Sequence, residues 1–169
     1  MILYIIRHAI AEPADPRAQQ DDSQRPLTEK GRRRMRKIAR GLKEMEAKID
    51  LILTSPYLRA ADTASILAKQ CGLDEDGVIK SENLAPDCHI DLLINEINQN
   101  YREIGNLALV GHEPSLSSLV SMLVSGEPNM SVTLKKGGVC RLTVARLEYG
   151  RCASLDWLLT PAQLVKIGG

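Results

Sequence analysis

The stretch Ile2-Leu3-Tyr4-Ile5-Ile6-Arg7-His8-Ala9, at the head of a 169-residue chain, decides the fold. Its unbroken apolar run reads as a strand covered on both faces, the form a parallel strand of an α/β protein takes in sequence. The run delivers an Arg-His pair into a loop, and the ends of such strands are where α/β sheets expose their working residues. Two further apolar runs, Leu51 to Leu53 and Leu107 to Val110, repeat the pattern. The first leads into Ser55-Pro56-Tyr57-Leu58-Arg59-Ala60 and the second into Gly111-His112-Glu113-Pro114. Two arginines and two histidines therefore fall at strand ends, and their convergence would make a site for a doubly charged anion, phosphate above all.

Working outward, the order is strand 1–6, a long loop 9–27, helix 28–46, strand 50–54, helix 57–71, a weak strand 78–81, helix 89–100, strand 106–110 and helix 114–125. Strands near 138–147 and 152–159 follow. Alternating β and α elements predict a mostly parallel sheet with helices on both faces in a single domain, 1–169. The short Glu148-Tyr149-Gly150-Arg151 connection predicts a closing hairpin, which makes the sheet mixed. Met35, Ile38, Leu42 and Met45 recur at helical spacing after Thr28, the expected N-cap. The opposite face, Arg32, Arg33, Arg34, Arg36 and Lys37, reads as a solvated basic face, with docking of an acidic or phosphorylated partner as the alternative. Leu116, Leu119, Val120, Leu123 and Val124 form an apolar stripe that anchors the helix after His112. The aperiodic segment Ala9 to Arg25 starts directly after His8 and reads as a wall or lid of the pocket.

Composition excludes several classes. A net charge of +1 and an aromatic content of 3% give neither the basic field nor the stacking surfaces that nucleic acid requires. No apolar stretch approaches the roughly 20 residues that span a bilayer, so no membrane partner is expected. The opening apolar run lacks a basic leader and meets a charge at Arg7, unlike an export signal. Cys71, Cys88, Cys140 and Cys152 lie far apart without metal-ligand spacing, and read as reduced structural thiols in the cytoplasm.

The chemistry follows from the residue types. A neutral imidazole can attack phosphorus if its far nitrogen is held in the donor tautomer, and His8, fixed at a strand end, suits that role. A phosphoryl transition state spreads charge over three equatorial oxygens and needs fixed positive donors around them. Arg7 and Arg59 can supply forked contacts, His112 a third donor if it is protonated beside the dianion, and the following helix its free N–H groups. Each residue alone has a dull explanation, because a lone Arg usually makes a surface ion pair of small worth. The combination does not.

Arg7-His8-Ala9, Arg25-Pro26-Leu27-Thr28 with Gly31, Ser55-Pro56-x-x-Arg59-Ala60-x-x-Thr63-Ala64 and Val110-Gly111-His112-Glu113-Pro114 together resemble the histidine phosphatase superfamily, of phosphoglycerate mutase-like fold. Within it the chain is similar to the small SixA-type phosphohistidine phosphatase branch, from Met1 through the closing Leu155 to Pro161. The resemblance implies a three-layer α/β/α fold with a six-stranded mixed sheet. It also implies a phosphohistidine intermediate at His8, a substrate pocket of Arg7, Arg59 and His112, and no metal or other cofactor. Positions 60–111 are too few for the helical cap insertion that larger relatives carry, so an open site is expected. Such a site admits a histidine projecting from a folded protein, and places a phosphorylated histidine-transfer type domain above a small phosphate ester as partner.

The general acid departs from the family pattern. Ser81-Glu82-Asn83-Leu84-Ala85-Pro86 is the nearest counterpart of the larger members' glutamate motif and offers Glu82, with Asn83 equally able to face the site. Asp87, Glu12, Asp15, Asp21 and Asp22 are weaker candidates, and Arg25 either reaches the pocket or braces the loop. Dephosphorylation of protein histidine in a phosphorelay is the leading expectation. A small-molecule phosphomonoesterase with the same mechanism and a non-catalytic phosphoprotein-binding module are the alternatives.

Overall fold

Alternation along the central strand builds the two cores. In a computed structural model describing residues 1–14 and 21–169, strand β1 (Ile2–Arg7) sends Leu3 and Ile5 to one face and Tyr4 and Ile6 to the other. The elements that follow are α1 (Glu29–Glu44), β2 (Leu51–Thr54), α2 (Leu58–Cys71), β3 (Val78–Lys80), α3 (Ile90–Asn100), β4 (Asn106–Gly111) and α4 (Ser115–Ser125). The chain closes with β5 (Val139–Val144), β6 (Ala153–Leu159) and α5 (Pro161–Ile167). The strands make one six-stranded sheet in the order β3-β2-β4-β1-β5-β6. β1 to β4 pair in parallel, and β5 runs antiparallel to both β1 and β6, as the expected hairpin requires.

Leu3, Ile5, Leu51, Leu53, Leu107 and Leu109 pack with α3 and α4 residues such as Ile97 and Leu119. Tyr4, Ile6, Ile52, Ala108 and Val110 pack with Met35, Ile38 and Leu42 of α1, Leu67 of α2 and Leu164 of α5. Helices therefore cover both faces, giving three α/β/α layers. Among the described residues no helix is long and apolar enough to cross a membrane. All four cysteines are free thiols.

Register fixes where the chemistry can lie. Arg7 stands opposite Gly111, and Thr54 opposite Val110, so β1, β2 and β4 finish at one level. Their next residues, His8, Ser55 and His112, consequently share one edge of the sheet.

Two details add to the sequence expectation. The loop 9–27 carries a 3₁₀ turn, Asp22–Gln24, and is closed on itself by a bridge between Ala11 and Leu27, while Asp15 lies outside the described residues. Helix α5 was not anticipated. Its start carries a capping box between Thr160 and Gln163 with Pro161 in the first turn, a signal legible in Thr160-Pro161-Ala162-Gln163. The helix docks on α1 at Gly41, where an added Cβ would meet the Leu164 carbonyl oxygen at 2.2 Å.

Candidate active site

Backbone contacts grip the end of β1 on three sides. The His8 N–H donates to the Gly111 carbonyl at 3.1 Å, and the Gly137 N–H donates to the carbonyls of Arg7 at 3.0 Å and His8 at 3.2 Å. On the third side the Ala9 N–H donates to Thr63 Oγ1 at 3.0 Å, and that hydroxyl donates to the Arg59 carbonyl at 2.6 Å. The first turn of α2, which carries Arg59, is thereby stitched to the loop that leaves His8.

The His8 ring is oriented by its own neighbour. Nδ1 lies 2.7 Å from the Ala9 carbonyl oxygen, which can only accept, so Nδ1 carries the hydrogen and Nε2 keeps a bare lone pair. Burial, with added repulsion from His112, Arg59 and Arg7, lowers the His8 pKa to about 3, although the Ala9 contact works the other way. The ring is neutral at physiological pH.

His112 lies beside it, with ring centroids 5.0 Å apart. Its Nε2 is 2.8 Å from Ser55 Oγ, and that oxygen accepts from the Tyr57 N–H at 3.2 Å. Burial, then Arg59, lowers the His112 pKa to about 4. The Arg59 side chain is buried, with its guanidinium carbon 5.0 Å from the centroid of the Tyr57 ring. Its NH1 donates to the Asp22 carbonyl at 2.8 Å and its NH2 to Asp22 Oδ2 at 2.9 Å. Arg7 NH1 donates to the Leu134 carbonyl at 3.0 Å. Among the described residues, Arg7 Nε, Arg59 Nε, His112 Nδ1 and the acceptor Glu113 Oε1 are buried polar atoms with no hydrogen-bond partner; the first three are nitrogens of the candidate site. Three unpaired polar atoms around one bare imidazole nitrogen suit a tetrahedral oxyanion.

The structure thus brings Arg7, His8, Arg59 and His112 together. Arg25 braces the loop, its Nε donating to Asp22 Oδ1 at 2.9 Å and its NH1 to the Glu12 carbonyl at 2.8 Å. Through Asp22 it also backs Arg59. Glu82 opens the 3₁₀ turn Glu82–Leu84 and is exposed. Asn83 turns its amide to Glu96 Oε2 on α3, at 2.8 Å. Asp21 caps the loop's 3₁₀ turn through Ser23, and Asp87 is exposed. On the basic helix face, Arg32 pairs with Asp62 of α2 at 2.6 Å, and Arg33 and Arg36 lie near Glu29. Among the described residues no three His, Cys, Asp or Glu side chains cluster to hold a metal ion.

Sequence reasoning did not find the pairing of Asp22 with Arg59, the contact of Ser55 with His112, or the hold of the Leu134 carbonyl on Arg7. The Asp22-x-x-Arg25 spacing announces only the neighbouring Asp22–Arg25 pair, since a tight turn brings i and i+3 together. Only the tertiary fold carries the turn at 134–138 to Arg7.

A model of the histidine phosphatase superfamily (branch 1) matches residues 3–85. The chain is 33% identical over 168 residues to an uncharacterized protein of Picosynechococcus sp., covering 98% of this chain and 99% of that one. It is 28% identical over 166 residues to the phosphohistidine phosphatase SixA of Escherichia coli K12, covering 97% and 96%. The structure of a protein histidine phosphatase SixA complexed with tungstate matches with a TM-score of 0.80 at 26% identity, covering 97% of this chain and 99% of that one.

Proposed function

The chain belongs to the histidine phosphatase superfamily, in its SixA-type branch, and we propose that it removes the phosphoryl group from a phosphorylated histidine of a partner protein through a covalent adduct at His8. The observation that carries this reading is the His8 ring: neutral, locked by Ala9, and presenting Nε2 beside Arg7, Arg59 and His112.

In the first step the Nε2 lone pair attacks phosphorus as the bond to the substrate nitrogen breaks; the bonding pair stays on that nitrogen, and the substrate ring, already protonated at its other nitrogen, leaves as neutral imidazole. Arg7 and Arg59 hold the equatorial oxygens, and His112 donates from Nδ1. In the second step water attacks the phosphoryl group on His8, so that inorganic phosphate leaves and the Nε2 lone pair is restored. Side chains supply the positive charge, so the reaction proceeds without a metal.

A phosphoramidate protonated at nitrogen leaves more easily than an alkoxide. The exposed position of Glu82 therefore suits phosphohistidine better than a phosphomonoester. Incubating the protein with a phosphorylated histidine-transfer domain should release phosphate in the presence of EDTA, and should trap a labelled enzyme that His8→Ala does not form. Equal turnover of phosphoserine or sugar phosphates would shift the reading to a phosphomonoesterase; binding without release would make the chain a capture module.

A further inference from the structure

The turn at 134–138 is held hard against the nucleophile. Leu134 is buried and its carbonyl takes Arg7 NH1, Gly137 N–H reaches the carbonyls of both Arg7 and His8, and Gly138 N–H closes back on the Lys135 carbonyl at 2.6 Å. Gly137 has φ +80°, and a Cβ there would sit 2.8 Å from Ile38 Cδ1, so this tight passage requires glycine. Lys136 lies within the turn, one residue from the amide that grips His8.

We propose that Lys136 determines specificity, its ammonium at the rim of the pocket beside Arg7, Arg25 and Arg59 binding a carboxylate that neighbours the phosphorylated histidine. This rests on the phosphohistidine reading and names the setting of that histidine: an acidic surface. The contacts of Leu134 with Arg7 and of Gly137 with the Arg7 and His8 carbonyls carry Lys136 to the rim, where its side chain is exposed; partial burial, then repulsion from Arg7, Arg25 and Arg59, holds its ammonium below its usual pKa. Among the described residues no carboxylate pairs with it.

Charge balance gives the ligand's class. Among the described residues Asp22 lies between Arg25 and Arg59 and pairs with both, and the unpaired Nε atoms of Arg7 and Arg59 suit the phosphoryl dianion. Lys136 is left without an anionic partner, which calls for a further anionic group on the substrate. Lys136 is the cation placed to meet it, because Arg7, Arg59 and His112 carry the unpaired atoms that suit the phosphoryl oxygens, whereas Lys136 is exposed at the edge with a compact charge on a flexible stem.

The test uses two peptides carrying a non-hydrolysable phosphoryl-triazole analogue of phosphohistidine, one flanked by Asp and Glu and the other by Asn and Gln. Their binding to wild type, Lys136→Met and Lys136→Arg is measured by fluorescence anisotropy, with inorganic phosphate titrated in parallel. Wild type should favour the acidic peptide by up to about fivefold, the worth of a rim ion pair in water. Lys136→Met should lose that preference and Lys136→Arg keep it, with affinity for inorganic phosphate unchanged. Equal binding of the two peptides by wild type, or binding of neither, overturns the proposal. So does a Lys136→Met protein that binds both peptides and inorganic phosphate more weakly, which would make Lys136 a phosphoryl ligand. A wild type that prefers the acidic peptide yet releases no phosphate from phosphohistidine protein would refute the proposed activity and leave the role of Lys136 standing.

Discussion

Ser55 Oγ and His112 Nε2 stand 2.8 Å apart inside the protein, and this contact decides which nitrogen of His112 faces the pocket. Ser55 Oγ accepts from the Tyr57 N–H and has its own proton to give to Nε2; an Nδ1 that meets a phosphoryl oxygen must donate, so the neutral His112 that suits the anion carries its hydrogen on Nδ1. Protonation, the condition the sequence suggested for His112 as donor, is thus unnecessary. Ser55 acts through His112 as a positioning residue.

Ser55→Ala should consequently lower kcat more than it raises KM, because it frees the tautomer of a donor that strengthens toward the transition state. Losing a buried hydrogen bond costs about 1–3 kcal/mol, so a fall on the order of tenfold is expected. Ser55→Thr keeps the hydroxyl and should restore most of it. A thermal destabilisation with kcat unchanged would reduce Ser55 to a structural role.

The two imidazoles make stability depend on acid. With folded pKa values of about 3 for His8 and about 4 for His112 against 6.5 for the free side chain, the unfolded chain binds more protons throughout that window. Stability is complete above pH 6.5 and falls as pH drops, by up to about 1.4 kcal/mol per pH unit for each histidine. Denaturant melts between pH 6.5 and 4 should show this slope, and His112→Gln should remove one proton's share. An unchanged slope in that variant would mean that His112 is not held neutral by the fold.

Much of this site was legible because its parts sit at the ends of apolar runs. Leu3 to Ile6, Leu51 to Leu53 and Leu107 to Val110 mark strands by composition alone, and parallel register brings their ends level. Periodicity likewise gave α1 and α4. What stayed hidden depends on distance in three dimensions. Asp22 reaches Arg59 across 37 positions and Leu134 reaches Arg7 across 127, with no local pattern to announce either contact. Helix α5 is too short for periodicity to reveal, and its capping box was the one available clue.

The carboxylates near the pocket can be separated by substrate. Burial alone would raise the Asp22 pKa, but the Arg25 and Arg59 guanidiniums outweigh it and hold the group below its usual range, so Asp22 is ionised at neutral pH and has no proton to give. Asp22→Asn should therefore leave phosphohistidine turnover within about tenfold, the loss arising from a looser Arg59 rather than a missing acid. Glu82→Gln should slow phosphomonoester cleavage more than phosphohistidine cleavage, since an alkoxide needs the proton more. A larger loss on phosphohistidine would identify Glu82 as the acid for that substrate too.

Arg59 tests the anion pocket most directly. Its NH1 and NH2 are fixed on Asp22 and its flat face on Tyr57, leaving Nε as the buried donor without a partner. Arg59→Ala should cost roughly 2.7–4 kcal/mol in kcat, as loss of a single oxyanion donor does, or about a hundred- to a thousandfold. Arg59→Lys should recover little of this, because an ammonium lacks the planar fork that holds Asp22 through NH1 and NH2 while Nε stays free for a phosphoryl oxygen. It should nevertheless retain the ion pair to Asp22 and with it the anchoring of the loop, visible as amide protection around the turn Asp22–Gln24. A lysine variant with wild-type turnover would mean that charge alone matters here; an alanine variant within tenfold of wild type would place Arg59 outside the reacting site.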